Sequence, residues 1–318
     1  MGRRVVVVAT ALALLTPASA RTTSSGGAEE AFVSVGASEL VGVMLDTNRV
    51  VARIRLPPGA ADVAVSSDRR YLLVTSPDAG AVTLVDAFHG RRLAVVRGLR
   101  RPLRAVFSND RGRAYVSEAG AGTVAELDLP GRRIARHIVV GRDPGSLALS
   151  PDGRHLWVTN RRGVAIVDTR SGRVVGHGGA PRAGEVAFDR SGLFVWVTYR
   201  ESAVIGKVRA YPRTGRLRLQ QLVGGRIERL DVDGAGRVWA TDPDRGAALR
   251  LSRWSGRTLE RHGGCAGASD VAVGPGRGRV VVSCRATREL LVWDPAGRTA
   301  TRVHVGGAPV GVAVALVP

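Results

Sequence analysis

The segment that decides the fold is residues 144–175, PGSLALSPDGRHLWVTNRRGVAIVDTRSGRVV. Short apolar runs at 147–149, 156–159, 164–167 and 174–175 alternate with turn-forming residues. The runs are rich in β-branched residues, and each one is too short to form a helix. The segment therefore predicts a meander of four antiparallel strands.

The same pattern recurs through the chain with a period of about 40 residues. The end of each predicted second strand serves as a marker, and successive markers are 39 to 43 residues apart. The markers are Val33-Ser34, Val74-Thr75, Val116-Ser117, Val158-Thr159, Val197-Thr198, Ala240-Thr241 and Val282-Ser283. A repeat of this length with four strands per unit is typical of a β-propeller, and the two-residue alternation excludes solenoids of helical repeats. We therefore predict an all-β, seven-bladed β-propeller of four-stranded antiparallel blades.

The two ends of the chain predict how the ring closes. The first unit, residues 31–56, lacks an opening strand, and residues 309–316 form an opening strand with no unit after it. We therefore expect the C-terminal strand to join the N-terminal blade as its innermost strand, in a single propeller domain at 31–318. Closure of this kind leaves no gap between the first and last blades, and this joint would hold the ring shut.

Residues 1–20 have the pattern of a secretory signal peptide. Arg3 and Arg4 precede an apolar stretch at 5–15, and the small residues at 18–20 fit cleavage after Ala20. The alternative is a buried first strand. We expect a secreted or periplasmic protein with a flexible lead-in at 21–30. Beyond residue 20 no run is apolar for long enough to span a bilayer.

The chain is strongly basic, with 47 Lys plus Arg against 27 Asp plus Glu and a net charge of +20. Lys207 is its only lysine, and the arginines are spread over predicted turns and outer strand faces. A solvated basic surface explains this pattern. The alternative is contact with a polyanion, such as nucleic acid, an anionic envelope polymer or lipid head groups. The aromatic interleaving of a single-strand nucleic-acid groove is not visible.

Motifs for common catalytic chemistries are missing from the sequence. It has no G-x-S-x-G elbow and no Walker pattern, and its six histidines are not at metal-ligand spacing. We therefore favour a non-catalytic, monomeric protein without a cofactor. Several predicted third strands end in Asp, as at Asp86, Asp128 and Asp168, and capping of the following turn is favoured over a functional role.

Cys265 and Cys284 are the only cysteines. In the repeat they align with Gly141 and Asn160, just before an opening strand and just after the neighbouring second strand. These two positions come close in an antiparallel hairpin. In an oxidising compartment the proximity predicts a disulfide, and the alternative is a pair of free, small apolar side chains.

Four segments carry a resemblance to a known family: LWVTN at 156–160, AYVSE at 114–118, LLVTS at 72–76 and VWVTY at 195–199. With the frames LALSPDGR at 147–154 and IVDTRSGRVV at 166–175, they resemble the repeat of YVTN-family, YncE-like β-propellers. The resemblance covers nearly all of 31–318. It implies a propeller of the WD40/YVTN and quinoprotein dehydrogenase-like kind and frequent export. Relatives include lactonases, so it implies little about chemistry.

In propellers of this type the opening strand lines a central channel, and ligands bind at one end of the ring, on loops held by a rigid frame. The first residues of the opening strands form a predicted inner ring: Asp62, Arg104, Ser146, Glu185, Arg229, Asp270 and Gly311. The residues that follow the second strands form a predicted rim: Val35, Ser76, Glu118, Asn160, Tyr199, Asp242 and Cys284.

Three interpretations of these residues stay open. In the first, the inner-ring carboxylates and arginines neutralise one another around a wet channel. In the second, the inner ring and the polar rim residues from Glu118 to Asp242 bind a protein or a small polar or anionic ligand, with Arg104 and Arg229 as anchors. In the third, a Ca²⁺-like ion on the three inner-ring carboxylates serves a lactonase-like hydrolase. We favour a binding or scaffold module with this mouth as its contact face.

Overall fold

The computed structural model describes residues 27–317 except 37, 179, 181, 201, 211–216, 224 and 296–298. The predicted signal peptide at 1–20 and residues 21–26 of the predicted lead-in lie outside the described residues. Regular structure in the described part of the chain consists of seven four-stranded antiparallel sheets. The chain is a seven-bladed β-propeller, as predicted. No helix in these ranges is long and apolar enough to cross a membrane.

The strands follow one another from the channel outwards in six of the blades. The first blade contains β1 (Ala28–Val35), β2 (Glu39–Met44) and β3 (Arg49–Arg55), and the second contains β4 (Val63–Val65), β5 (Tyr71–Ser76), β6 (Ala81–Asp86) and β7 (Arg91–Arg97). The third contains β8 (Pro102–Phe107), β9 (Arg113–Glu118), β10 (Thr123–Asp128) and β11 (Arg133–Val139). The fourth contains β12 (Leu147–Leu149), β13 (His155–Asn160), β14 (Gly163–Asp168) and β15 (Arg173–Gly178).

The remaining blades repeat the same order. The fifth contains β16 (Ala183–Phe188), β17 (Phe194–Tyr199), β18 (Val204–Arg209) and β19 (Leu217–Leu222). The sixth contains β20 (Leu230–Val232), β21 (Val238–Asp242), β22 (Ala247–Leu251) and β23 (Thr258–His262). The seventh contains β24 (Ala268–Val273), β25 (Val280–Cys284), β26 (Glu289–Asp294) and β27 (Thr299–His304). The last strand, β28 (Pro309–Val317), is the innermost strand of the first blade.

The last strand closes the ring as predicted. β28 pairs antiparallel with β1, from Ala28↔Val317 to Val35↔Pro309. β1 begins at Ala28, so the end of the predicted lead-in belongs to the first blade. Glu29 in this part of β1 is buried, and its Oε1 accepts a hydrogen bond from Gly276 N of the seventh blade at 2.7 Å. Both ends of the chain therefore contribute to the joint between the seventh and first blades.

The hydrophobic core is divided into seven clusters of described residues, each lying between two neighbouring blades. In six of them the second strand of a blade contributes one large buried side chain: Phe32, Leu73, Tyr115, Trp157, Trp196 and Trp239. Because apolar area is buried between blades, each blade depends on its neighbours for stability, and an open ring would expose two apolar faces.

The Ser or Thr at the end of the second strand has a structural role in six of the seven blades; in the seventh, the Ser283 hydroxyl has no hydrogen-bond partner among the described residues. Thr75 Oγ1 accepts a hydrogen bond from Asp62 N at 3.1 Å and donates one to Leu103 O of the next blade at 3.1 Å. Equivalent bonds to the backbone N–H of an inner-ring residue occur in six blades. The hydroxyl thus fixes that residue, and in some blades it also links two blades. This explains why the repeat retains it.

Two smaller predictions are confirmed as well. Asp86, Asp128 and Asp168 cap their turns, because each carboxylate accepts a hydrogen bond from the backbone N–H three residues later. Cys265 and Cys284 form a disulfide, with 4.8 Å between their Cα atoms. It joins the segment before β24 to the end of β25, within the seventh blade.

Candidate ligand site at the channel mouth

The structure brings the side chains of the predicted inner ring together at one end of the channel. Six of them border a central cavity of about 400 Å³, which the innermost strands enclose: Asp62, Arg104, Ser146, Glu185, Arg229 and Asp270. The seventh position, Gly311, contributes backbone groups only. The ring forms because these residues occupy equivalent positions in their blades, either directly before the innermost strand or at its third residue.

Arg229 lies at the centre of three carboxylates. Its Nε is 3.1 Å from Asp270 Oδ1, its Nη1 is 3.3 Å from Glu185 Oε1, and its Nη2 is 2.7 Å from Asp62 Oδ1. Burial alone lowers the pKa of Arg229, but the three carboxylates raise that pKa well above its ordinary value. Burial raises the pKa of Asp270 to about 6, and Arg229 opposes part of this rise. The guanidinium is therefore a fixed cation at the point where the three carboxylates meet.

Several inner-ring side chains also join neighbouring blades. An innermost strand has one edge paired within its blade, so N–H groups on its other edge need acceptors. Asp62 Oδ2 accepts a hydrogen bond from Ala105 N at 3.2 Å, and Asp270 Oδ2 accepts one from Val312 N at 2.8 Å. The second bond spans the closure joint, so this part of the ring stabilises the propeller itself.

Arg104 has fewer partners than Arg229. Its Nη2 donates to Glu185 Oε1 at 3.2 Å, and its Nη1 reaches Leu103 O at 3.5 Å. Its Nε is buried and has no hydrogen-bond partner among the described residues, because Asp62 Oδ1 is 3.8 Å away. The Arg104 side chain is 26% exposed, against 10% for Arg229. Arg104 thus has hydrogen-bond donors that are not used within the protein, and it lies beside open space.

That open space is a second cavity of about 410 Å³ on the outer side of the ring, which we call the mouth cavity. It shares Arg104, Ser146 and Glu185 with the channel, and Arg200 and Arg226 lie on its wall. Two glycines also line this cavity. A Cβ atom at Gly145 would lie 3.4 Å from Arg200 Nη2, so the Arg200 guanidinium packs directly over this glycine.

The charges around the mouth cavity are mixed, with an excess of cations. Its walls carry Arg104, Arg200 and Arg226 against Glu185 and Glu228. Arg226 is already near Asp244 and Glu228, at 3.4 and 3.7 Å. Arg200 is exposed, and its guanidinium forms no ion pair with the described residues. Sequence reasoning missed Arg200 and Arg226, although Arg200 directly follows the rim position Tyr199.

Among the described residues, none of the four rim side chains from Glu118 to Asp242 bonds to the inner-ring network. The Glu118 carboxylate is buried and contacts Arg100 N, Thr123 Oγ1 and His137 Nδ1 at 2.7 to 2.9 Å. Asn160 bonds Val140 O, Arg162 N and Gly163 N. Asp242 binds Arg245 and Arg261. Tyr199 packs against the cluster between the fourth and fifth blades. A ligand role for these residues stays a prediction.

A deeper layer of the channel contains a carboxylate that sequence reasoning also missed. Asp231 lies two residues after Arg229, where five other blades have the alanines Ala64, Ala148, Ala187, Ala272 and Ala313. Burial raises the pKa of Asp231, and the charge of Arg69 partly opposes that rise. Arg69 itself donates to Val314 O of the neighbouring first blade at 2.9 Å. An aspartate at a repeat position that is alanine in five other blades was the sequence signal that could have identified Asp231.

The three inner-ring carboxylates are the candidate metal ligands of the sequence analysis. Arg229 now stands among them, with a guanidinium nitrogen within 3.3 Å of each carboxylate. Within the described ranges, no group of three or more His, Cys, Asp or Glu side chains is arranged to hold a metal ion. A divalent ion at this point would have to displace Arg229 from all three partners.

Neither a family model nor a curated protein matches the chain. Solved structures match in fold. The periplasmic gluconolactonase PpgL of Pseudomonas aeruginosa is 18% identical with a TM-score of 0.72, and 91% of this chain covers 99% of that one. Apo AztD from Citrobacter koseri is 11% identical with a TM-score of 0.71, covering 91% and 98%. A functionally unknown protein from Desulfotomaculum acetoxidans DSM 771 is 17% identical with a TM-score of 0.77, covering 91% and 99%. At these identities the likeness extends to the fold alone.

Proposed function

We propose that this protein is an exported, non-catalytic binding module of the YVTN, YncE-like group that holds a small anionic ligand in the mouth cavity. The observation that carries the proposal is the state of Arg104. Its Nε is buried without a hydrogen-bond partner among the described residues, beside a cavity of about 410 Å³. The Arg104 side chain is still 26% exposed, so a ligand oxygen in the cavity can pair with its exposed guanidinium N–H groups.

The charge balance of the mouth cavity selects an anion. Arg229 has its three nitrogens committed to carboxylates, so Arg104 and Arg200 are the cations with capacity left. A guanidinium offers N–H groups in a planar fork that matches carboxylate and phosphate oxygens. The Ser146 hydroxyl, which donates to Glu185 at 2.9 Å, adds a polar group at the cavity floor.

Export is supported by the disulfide and by the signal-peptide pattern at 1–20. Cys265 and Cys284 are both fully buried and bonded to each other. Disulfides of this kind persist in secreted and periplasmic proteins and are rare where thiols are kept reduced. Cleavage after Ala20 and membership of the YVTN, YncE-like group are parts of this proposal.

A lactonase-like hydrolase is the competing function. The fold of the Pseudomonas aeruginosa gluconolactonase is similar, but at 18% identity this carries no assignment of chemistry. We favour binding over hydrolysis because Arg229 occupies the place at which the inner-ring carboxylates would hold an ion. Rearranging three buried ion pairs would carry a large desolvation cost.

The test is calorimetric titration of the mature protein with glucuronate and with inorganic phosphate, each as a separate probe. We expect at least one probe to bind, and Arg104→Gln to weaken that binding about tenfold or more. Arg170→Gln, an exposed arginine in the turn between β14 and β15 at the opposite end, is the matched control and should leave it unchanged. The proposal would be overturned if neither probe binds or if the Arg104→Gln and Arg170→Gln variants bind equally well. Lactone hydrolysis that depends on added Ca²⁺ would also overturn it.

A further inference from the structure

Seven exposed arginines lie on the mouth side of the third, fourth and fifth blades. We call them the basic arc: Arg100, Arg101, Arg142, Arg161, Arg162, Arg182 and Arg200. All of them lie in loops that lead into an innermost strand or leave a second strand, at the end of the propeller where the inner ring lies. Their guanidinium groups have no ion-pair or hydrogen-bond partner among the residues that the structure describes.

Contacts join the parts of the arc that lie on the fourth and fifth blades, beside the mouth cavity. Arg161 N donates to Arg142 O at 2.9 Å in the fourth blade, and Arg200 N donates to Arg182 O at 2.8 Å in the fifth. Arg200 then packs over Gly145, which belongs to the loop of the fourth blade that also contains Arg142. The two blades therefore present one group of cations beside the cavity.

Among the residues that the structure describes, few acidic groups neutralise the arc. Asp143 is exposed within it, and the Glu118 carboxylate below it is fully buried by its own bonds. On the other blades several arginines of the mouth side are paired: Arg53 with Glu39 at 2.9 Å, Arg226 with Asp244 at 3.4 Å, and Arg302 with Glu289 at 3.0 Å. Arg285 and Arg288 in the loop after β25 are exposed and form no ion pair with the described residues, so this face has a second, smaller group of free cations. The basic arc is the larger group, and it is the one that lies beside the mouth cavity.

We propose that the basic arc binds a flexible anionic polysaccharide, one acidic group of which enters the mouth cavity. The entry of an acidic group into the mouth cavity rests on the proposed function. A linear chain of spaced carboxylates or sulfates fits a curved row of cations that leads to a cavity, since each charge meets one arginine. A flat lipid surface does not reach the cavity. Nucleic acid is disfavoured because Tyr199, the aromatic residue next to Arg200, packs against the core cluster between the fourth and fifth blades, whereas base stacking needs exposed rings.

The test compares two double variants of equal charge in the fourth blade. Arg161→Gln with Arg162→Gln removes part of the arc. Arg170→Gln with Arg173→Gln removes two exposed arginines at the opposite end of the same blade. The probes are a heparin-derived hexasaccharide and monomeric glucuronate, measured from low to moderate salt. We expect the arc variant to weaken hexasaccharide binding about tenfold and to flatten its salt dependence, with glucuronate binding unchanged. The control should change less than about twofold.

Equal loss in both double variants would overturn the proposal, because net charge alone would then explain the binding. No loss in the arc variant would also overturn it. Tighter binding of a single-stranded oligonucleotide or of anionic vesicles than of the hexasaccharide, through the same arginines, would assign the arc to another partner. The outcome for Arg104→Gln separates the two proposals. If that variant keeps glucuronate binding while the arc variant loses the hexasaccharide, the proposed function fails and the arc stands.

Discussion

The two halves of the channel mouth use the same residue types in opposite ways. In the closed half, Asp62, Asp270 and Arg229 form a buried network in which every guanidinium nitrogen meets a carboxylate within 3.3 Å. In the open half, Arg104 meets one carboxylate at 3.2 Å and keeps a buried Nε without a partner among the described residues. Both arginines occupy the inner-ring position of their blades, near the start of an innermost strand, so their position in the repeat does not determine their role.

The number of carboxylate partners makes the difference. A buried cation is stable only when nearby anions replace its lost hydration, and Arg229 has three. Arg104 is more exposed, so water supplies part of what its single carboxylate does not. The closed half is therefore built for the fold, whereas the open half has capacity to bind an anion.

Removal of the last strand is the strongest way to break the closed half. A variant that ends at Gly306 lacks β28, so β1 loses its pairing partner. Asp270 also loses the hydrogen bond that it accepts from Val312 N. Two apolar faces between blades would also open. We expect this variant to lose cooperative unfolding, as measured by circular dichroism during heating. If it melts like the full mature protein, the closure described here does not hold the ring together.

Substitution of Arg229 separates the two halves directly. Arg229→Met leaves Asp62, Glu185 and Asp270 close together without their shared cation, and we expect a loss of about 3–5 kcal/mol in the free energy of unfolding. Arg104→Met is the matched control in the open half. It should cost less than about 2 kcal/mol, because this side chain is partly solvated and forms one short ion pair. Urea denaturation of both variants measures the difference, and equal losses would contradict the distinction.

Glu30 sharpens the comparison, since it is a buried carboxyl without a cation beside it. Its Oε1 has no hydrogen-bond partner among the described residues, and burial raises its pKa from 4.5 to about 7. Because the folded-state pKa is the higher one, the contribution of Glu30 to stability is complete below about pH 4.5 and is lost as the pH rises through about 7.

Glu30→Gln should therefore raise the free energy of unfolding by about 1–2 kcal/mol at pH 8, after allowance for solvent screening of the carboxylate. Near pH 4.5 the variant and the parent protein should have nearly equal stability. Urea denaturation at several pH values measures this. A constant difference between the two proteins across the pH range would show that Glu30 does not titrate in the way described.

The periodicity of the sequence was sufficient to predict the fold and the composition of the inner ring. The repeat register alone places Asp62, Ser146 and Arg229 at equivalent positions, because each directly precedes the innermost strand of its own blade. The alignment also placed the two cysteines within bonding distance. These features depend on local order that repeats along the chain.

Partner choice across the ring was not predictable in the same way. Arg229 and Asp62 are 167 residues apart in sequence, and only the closed ring shows that they meet while Arg104 stays underbonded. The sequence also did not show that the rim side chains of Glu118 and Asp242 bond to their own blades and not to the inner ring. Glu118 and Asp242 follow the strand at the predicted position, but bonds to the outer strands of their own blades bury their carboxylates.

The most direct test of the open half is to locate a bound anion. Crystals of the mature protein soaked in bromide would show anion positions by anomalous scattering. We predict a strong peak in the mouth cavity, within hydrogen-bond distance of the Arg104 and Arg200 guanidinium groups, and none beside Arg229. A peak at Arg229, or peaks only at exposed arginines such as Arg170 at the opposite end, would contradict the assignment of the open half as the binding site.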